Sequence, residues 1–551
     1  MKKVINKYVL INFFIAVLIF KSFNIHALPN FYDDEAANVL AENIVNEMTD
    51  EELLSQIFMF GWKGEEPDKL LIDWITKRGL GNVKVFGWNT KDSVKLGKAI
   101  HLLQKKAALG RFGIPLFVAT DQEGGLVRHV KGLALHTPGN LALGATRLPY
   151  DAYKTGYYIS MELRALGINL NFAPTVDLYT NYGSSVIGIR SFGESPIPTA
   201  KLAVAFMKGA KDAGVLSTAK HFPGHGDTAQ DSHGRLPKID ATKEVLFNRE
   251  LVPFQALIDE GLPAIMTAHI NYSSLVTQGE PATFSRKILN ELLRGELGFN
   301  GIIITDDIMM TGATGYAGGL AVAVQKAIEA GNNLIESSKT PLLNEEVWLH
   351  NIKLMRTNED FHFLVKSSAK RLLILKIEYF RGKNHVPIFP NIEEIPNALN
   401  NEDAKDFFVG MAARSVTIVR GMVEYVDEFL KDSLLIVSSN NLFLEAGKNR
   451  FKNARLSNFT ECFEASRNAK TIIFCLDDHQ ALNIFQDLKA TFPKKQYIIV
   501  SAMSPTLLQH MPEEKNVIAI YSNSPFSFMA AFSAIAGDFI PKGAMPLNYV
   551  K

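Results

Sequence analysis

The chain has 551 residues, with 58 Lys plus Arg against 57 Asp plus Glu and a formal net charge of +1. That balance excludes the basic footprint of a nucleic-acid-binding protein. An apolar share of 47% with 21% charged residues excludes an intrinsically disordered chain and leaves enough residues for roughly two to four domains.

The chain opens with basic MKKVINK, continues with the apolar run YVLINFFIAVLIF, broken only by Asn12, and reaches a small residue in KSFNIHA. This is the layout of a secretory signal spanning residues 1–27, with cleavage after Ala27. The apolar run is short beside the ~20 residues of a spanning helix. An exported protein, periplasmic or secreted and without stable membrane insertion after cleavage, is expected; an uncleaved N-terminal anchor is the alternative. No cysteine lies near position 27, which argues against a lipid-modified N-terminus.

From residue 50 onward, short apolar runs recur: SQIFMFG, NVKVFGW, IPLFVATD, INLNFAP, VLSTAKHFPG, LPAIMTAHI, GIIITDD and NNLIES. Their length and their Val, Ile, Leu and Phe content fit strands buried on both faces. Between them lie segments of helical period. One is DAYKTGYYISMELRALG, where Ile159, Leu163 and Leu166 share a face and Gly167 marks the stop. About eight such units predict an α/β fold, a closed (β/α)8 TIM-like barrel over residues 28–385. An open doubly wound sheet is the alternative. Residues 386–407, rich in Pro and Asn, read as a linker. Strand-like runs then resume as SLLIVSS, TIIFCLDD, QYIIVSA and VIAIYSN, which predicts a smaller α/β sandwich domain over 408–551. The chain's two cysteines are Cys462 and Cys475. Export permits a disulfide, but Cys475 sits inside a strand-like run and reads equally as a free core thiol.

In such a barrel, reactive groups leave the C-terminal ends of the strands. Asp121, Gln122 and Glu123 follow one run. Asp177, Lys220 with His221, His269, and Asp306 with Asp307 follow four others. Each alone is explained as a helix cap; their recurrence at one rim points to a site. The densest stretch is KHFPGHGDTAQDSH, residues 220–233. His221 and His225 are four apart, but Pro223 and Gly224 prevent a helix between them, so the zinc-binding spacing fails. PGHG lacks the glycine pattern of a phosphate loop. His225 alone reads as a structural hydrogen-bonding residue, whereas a lysine ending a buried strand requires a partner or a ligand. Asp231 beside His233 favours an imidazole competent in proton transfer. GxSxG is absent, and Asp306, ending an apolar strand, is the best candidate nucleophile.

These motifs resemble glycoside hydrolase family 3, in its β-N-acetylhexosaminidase branch. The resemblance is carried by KHFPGHG with DSH, by TDQEGG (120–125), MELRALGINLNFAPTVDL (161–178), VIGIRSFG (186–193), MTAHI (266–270) and GIIITDDIMM (301–310), and by GDFIPKGAMPLNYV near the C-terminus. It implies a retaining exo-glycosidase acting on terminal β-linked N-acetylglucosamine, from peptidoglycan fragments or related glycans, with a carbohydrate substrate, no cofactor and no metal. It also implies roles: Asp306 as nucleophile, His233 with Asp231 as acid/base dyad, and Asp121, Arg190, Lys220, His221 and Arg128 as sugar-binding residues. Asp307 would be structural. Three positions depart from the family pattern. Its arginine would fall at His129, one residue after Arg128. Asn333 stands where an acidic residue supports the pocket floor, and its neutrality is expected to weaken that support. Ile189 replaces a common polar residue. A β-glucosidase or β-xylosidase specificity, or a catalytically weak glycan-binding protein of the cell envelope, are the rival readings.

Overall fold

The computed structural model describes residues 28–184, 186–276, 279–421 and 433–548; the expected export signal, residues 1–27, lies outside the described residues. Eight short strands form the first unit: β1 (Phe58–Gly61), β2 (Asn82–Val85), β3 (Phe117–Thr120), β4 (Leu170–Asn171), β5 (Leu216–Phe222), β6 (Ala264–Thr267), β7 (Ile302–Thr305) and β8 (Ile335–Ser337). All pair in parallel. Each strand has its chain neighbours beside it, and β8 returns to β1. The sheet closes where Ile304 bridges Leu334, and where Asn333 N and Leu334 N both donate to Ile303 O at 2.7 and 3.1 Å. Closure excludes the open doubly wound alternative and matches the predicted barrel.

Helices fill the connections because local signals start and stop them. Asp92 accepts from Val94 N and Lys95 N to begin the helix Ser93–Ala108, as an N-cap should. Gly167, at φ +83°, ends the helix Pro149–Leu166 in the left-handed conformation, which glycine enters without steric cost. At the end of the barrel opposite the strand C-termini, fully buried Lys376 donates to Gly81 O at 2.7 Å.

The second unit holds six strands: β9 (Thr417–Arg420), β10 (Leu434–Val437), β11 (Arg455–Ser457), β12 (Thr471–Leu476), β13 (Gln496–Ser501) and β14 (Val517–Ala519). They lie in the order β9-β14-β13-β12-β10-β11, and only the β9–β14 pair is antiparallel. Helices pack on both faces, giving two apolar layers. Cys462 and Cys475 are both buried free thiols.

The expected linker is better ordered than its composition suggests. Val386, Ile395 and Leu399 bury their side chains in the barrel's core. A helix, Glu402–Ser415, begins inside the range 386–407, because Asn401 caps it by accepting from Ala404 N. That helix ties the two units together. Arg414 donates to both oxygens of fully buried Asp151, at 2.7 and 3.0 Å. The segment 543–548 also returns to the barrel. Ala544 N donates to Ala145 O at 2.9 Å, and Glu194 N to Pro546 O at 3.4 Å.

Candidate active site

A cavity of about 230 Å³ opens at the C-terminal ends of the barrel strands, lined by Lys84, Asp121, Arg190, Lys220, His221 and Asp306 among others. Its polar groups come from β2 and β5 and from the loops after β3, β4, β5 and β7. Convergence of this kind follows from a parallel barrel, in which every strand ends on the same face.

The inner wall is a network of alternating charges. Lys220 Nζ lies 2.5 Å from Asp121 Oδ1 and 2.8 Å from Glu123 Oε1. Arg190 grips Glu123 through two parallel bonds, Nε to Oε2 at 2.9 Å and Nη2 to Oε1 at 2.7 Å. Its Nη2 also stands 3.5 Å from His221 Nε2. Such forked pairs fix direction as well as charge. Burial alone would raise the Glu123 carboxyl, but Arg190 and Lys220 hold it at about 2. Asp121 is likewise held well below the usual carboxylate range, against burial, chiefly by Lys220 and Lys84.

Asp177, in the loop after β4, is a second organising point. Its Oδ1 accepts from His221 N at 3.1 Å and His225 N at 2.6 Å, and its Oδ2 lies 2.6 Å from His221 Nδ1. The side chain is fully buried, and burial would raise its carboxyl; His221 and His225 lower it instead. The carboxylate thus sets the rotation of the His221 ring. Gly226 permits the packing behind it, because a Cβ there would sit 1.6 Å from Leu178 O.

Asp306 extends from β7 into the cavity. Its Oδ1 accepts from Asp307 N at 2.8 Å, while Oδ2 lies 4.0 Å from His221 Nε2. Burial works to raise this carboxyl, yet His221, His269, Lys84 and Lys220 bring it to about 2. It is therefore a half-buried, ionised carboxylate with one oxygen bound to the backbone. Asp307 has a supporting part: its Oδ1 accepts from Met309 N and Ser338 N at 3.1 and 3.2 Å. His269 sits behind it, 3.1 Å from Asp307 O and 2.9 Å from Thr283 Oγ1.

His233 and Asp231 stand on the rim, their side chains 72% and 51% exposed. His233 Nδ1 lies 2.7 Å from Asp231 Oδ1. A carboxylate only accepts, so Nδ1 carries the proton and Nε2 is the nitrogen left to work. Ser232, between them, is buried and anchors the loop. Its carbonyl accepts from Gly312 N at 3.1 Å, and its Oγ lies 3.4 Å from His225 Nε2. Gly312 opens the helix that follows β7, and a Cβ there would come within 3.0 Å of Ser232 O.

Seven of the eight site residues expected from sequence meet at this cavity: Asp306, His233, Asp121, Arg190, Lys220 and His221 line it, and Asp231 holds His233. Arg128 is the exception and corrects the expectation. In the extended run Val127–His129, neighbouring side chains leave on opposite faces. Val127 and His129 line the cavity, while Arg128 is placed beside Glu162 and His136. Asn333, the neutral residue at the expected acidic position, is partnered on both sides: its Oδ1 accepts from Ile303 N at 3.0 Å and Arg294 Nη2 at 2.8 Å, and its Nδ2 meets Ser368 Oγ at 3.2 Å. Lys84 was not singled out, Glu123 and Asp177 were placed on the rim without a role, and His225 was read as a structural residue. For Lys84 a signal existed, a lysine inside a buried strand run; the hub role of Asp177 depends on contacts 44 and 48 residues away.

Residues 48–362 match the Glycosyl hydrolase family 3 N terminal domain. Beta-hexosaminidase A of Pseudoalteromonas piscicida is 40% identical over 261 residues, which are 45% of this chain and 44% of that protein. A Beta-hexosaminidase of Thiobacillus denitrificans is 39% identical over 278 residues, 49% of this chain and 74% of that one. The matched segment thus spans less than half the length of the first relative and about three-quarters of the second. The structure of a glycoside hydrolase family 3 beta-N-acetylglucosaminidase from Paenibacillus sp. superposes with a TM-score of 0.82 at 27% identity, over 91% of this chain and 99% of that one.

Proposed function

Because the chain belongs to glycoside hydrolase family 3, we propose that it is a retaining exo-glycosidase that releases terminal β-linked N-acetylglucosamine. The carrying observation is the placement of ionised Asp306 among Asp121, Arg190, Lys220 and His221, with the Asp231–His233 pair on the rim of the same cavity. The β-hexosaminidase relatives support the amino-sugar specificity.

The chemistry divides among these residues. Asp121, Arg190, Lys220 and His221 bind the hydroxyls of one ring and orient its anomeric carbon towards Asp306. An Asp306 oxygen attacks that carbon, forming an acylal ester bond. His233 Nε2–H gives its proton to the departing glycosidic oxygen as the C–O bond breaks. Asp231 keeps Nδ1 protonated throughout. In the second step, His233 Nε2 takes a proton from water, whose oxygen displaces Asp306 and restores the original anomeric configuration. The ionised state of Asp306, held at about 2, keeps the nucleophile ready across neutral and mildly acidic pH.

The cavity's small volume, about 230 Å³, favours cleavage one residue at a time from a chain end. The basic, apolar and small-residue order of residues 1–27 supports export, and peptidoglycan fragments are the amino-sugar substrate in keeping with it. The test is a pair of chromogenic substrates, a β-N-acetylglucosaminide and a β-glucoside, given to wild type and to Asp306→Ala. Strong preference for the acetamido sugar, lost in the variant, is the expected result. Equal or better turnover of the glucoside would overturn the amino-sugar assignment, and unchanged rates in Asp306→Ala would overturn the nucleophile.

A further inference from the structure

Lys84 is a cavity cation that none of the motifs accounts for. It lies in β2, within the run NVKV, and its side chain is 4% exposed. An ammonium so deeply placed requires partners. Its Nζ stands 3.0 Å from Asp121 Oδ2 and 3.3 Å from Glu336 Oε1, and 4.5 and 5.1 Å from the ring centres of Phe86 and Phe172. Asp121 is therefore held from two sides, Oδ1 by Lys220 and Oδ2 by Lys84.

The position that carries an arginine in the resembled pattern is His129 here. Its Nδ1 comes only to 3.7 Å from Asp121 Oδ2. Burial pushes its ring pKa down, although Asp121 pulls it up, so a neutral ring faces the carboxylate where a cation is expected. Glu336, on β8 behind Lys84, is fully buried. Burial and the nearby Asp307, Asp306 and Asp121 raise its carboxyl well above its usual range, against the pull of Lys84.

We propose that Lys84 is a positioning residue that supplies, from the neighbouring strand, the cation missing at position 129, and so fixes Asp121 in the orientation that accepts sugar hydroxyls. The assignment rests on the glycosidase reading above. It makes Lys84 and His129 an exchanged pair, with the charge moved from the loop after β3 into the barrel wall.

The experiment is a mutant cycle with two readouts, kcat and KM on the β-N-acetylglucosaminide and calorimetric binding of N-acetylglucosamine. Lys84→Met is expected to lower kcat/KM about 10- to 100-fold, the range for losing a charge-assisted hydrogen bond, with most of the change in KM and a matching loss of sugar affinity. In an Asp121→Asn background the same substitution should add less than about threefold, because the group it positions is already altered. Lys84→Met/His129→Arg should recover a substantial part of the loss, an outcome that a purely structural lysine does not produce. Lys84→Gln goes through the same cycle should the Met variant not fold. Full additivity with Asp121→Asn, or wild-type sugar binding in Lys84→Met, would overturn the assignment while leaving the glycosidase reading intact. A wild type that neither turns over the substrate nor binds the sugar would overturn both.

Discussion

Asp177→Asn isolates one oxygen of the site. The amide keeps an acceptor for His221 N and His225 N, which Oδ1 serves at 3.1 and 2.6 Å. It replaces Oδ2, 2.6 Å from His221 Nδ1, with an NH2 group that cannot accept. A hydrogen bond to a charged group contributes about 1.5–3 kcal/mol. If that energy orients the His221 ring towards the sugar, kcat/KM falls about 10- to 150-fold. The pH dependence follows from the direction of the shift. The Asp177 carboxyl lies below its ordinary value because His221 and His225 outweigh burial. The stability contributed by its charge is therefore present above the ordinary carboxylate range and lost as pH falls through the lowered value. The gap in melting temperature between wild type and variant should narrow in acid. The assay is initial rates against substrate concentration near neutral pH, with melting curves over a pH series. A folded Asp177→Asn protein whose kcat/KM stays within about threefold of wild type would refute the idea that Asp177 sets the His221 ring.

Three further outcomes are expected. Asn333→Asp should stabilise the barrel by about 1–3 kcal/mol, since Ile303 N, Arg294 Nη2 and the Ser368 hydroxyl already surround position 333 and all can donate; a lower melting temperature at pH 7 would contradict this. Glu250 is buried with Oε2 unpartnered, and burial holds its carboxyl at about 7 despite Arg249. A raised acid favours the folded state at low pH, so wild type should lose on the order of 3 kcal/mol relative to Glu250→Gln as pH rises from about 4.5 to about 7; parallel stability profiles would exclude it. His233→Ala should slow substrates with poor leaving groups far more than the nitrophenyl substrate's first step, which needs no proton; equal losses on both would remove His233 from the acid role.

The barrel was legible because its strands are buried on both faces and read as short apolar runs, from Phe58–Gly61 to Ile335–Ser337. Asp306, Lys220 and His221 were legible for the converse reason, as charges placed where apolar residues are the rule. Lys84 obeys the same logic within NVKV, but its purpose depends on Asp121 and Glu336, which reach it from other strands. Arg128 failed through alternation: a slip of one residue in an extended run exchanges the cavity for the opposite face. The linker range failed because Asn401, one of several asparagines in a Pro-rich stretch, caps a helix there, and composition does not distinguish a cap from a turn residue.

The order of synthesis gives the segment 543–548 a particular consequence. Every barrel strand is made before it, yet it braces the loop that carries Arg190, through Pro546 O to Glu194 N and through the close approach of Pro546 O to Gly193, where a Cβ would lie 2.8 Å away. A ribosome adding about 5–20 residues per second therefore completes all eight strands seconds before it makes the segment that braces the Arg190 loop. On the proposed reading, the loop that carries Arg190 has its full support only once residues 543–548 have joined the barrel.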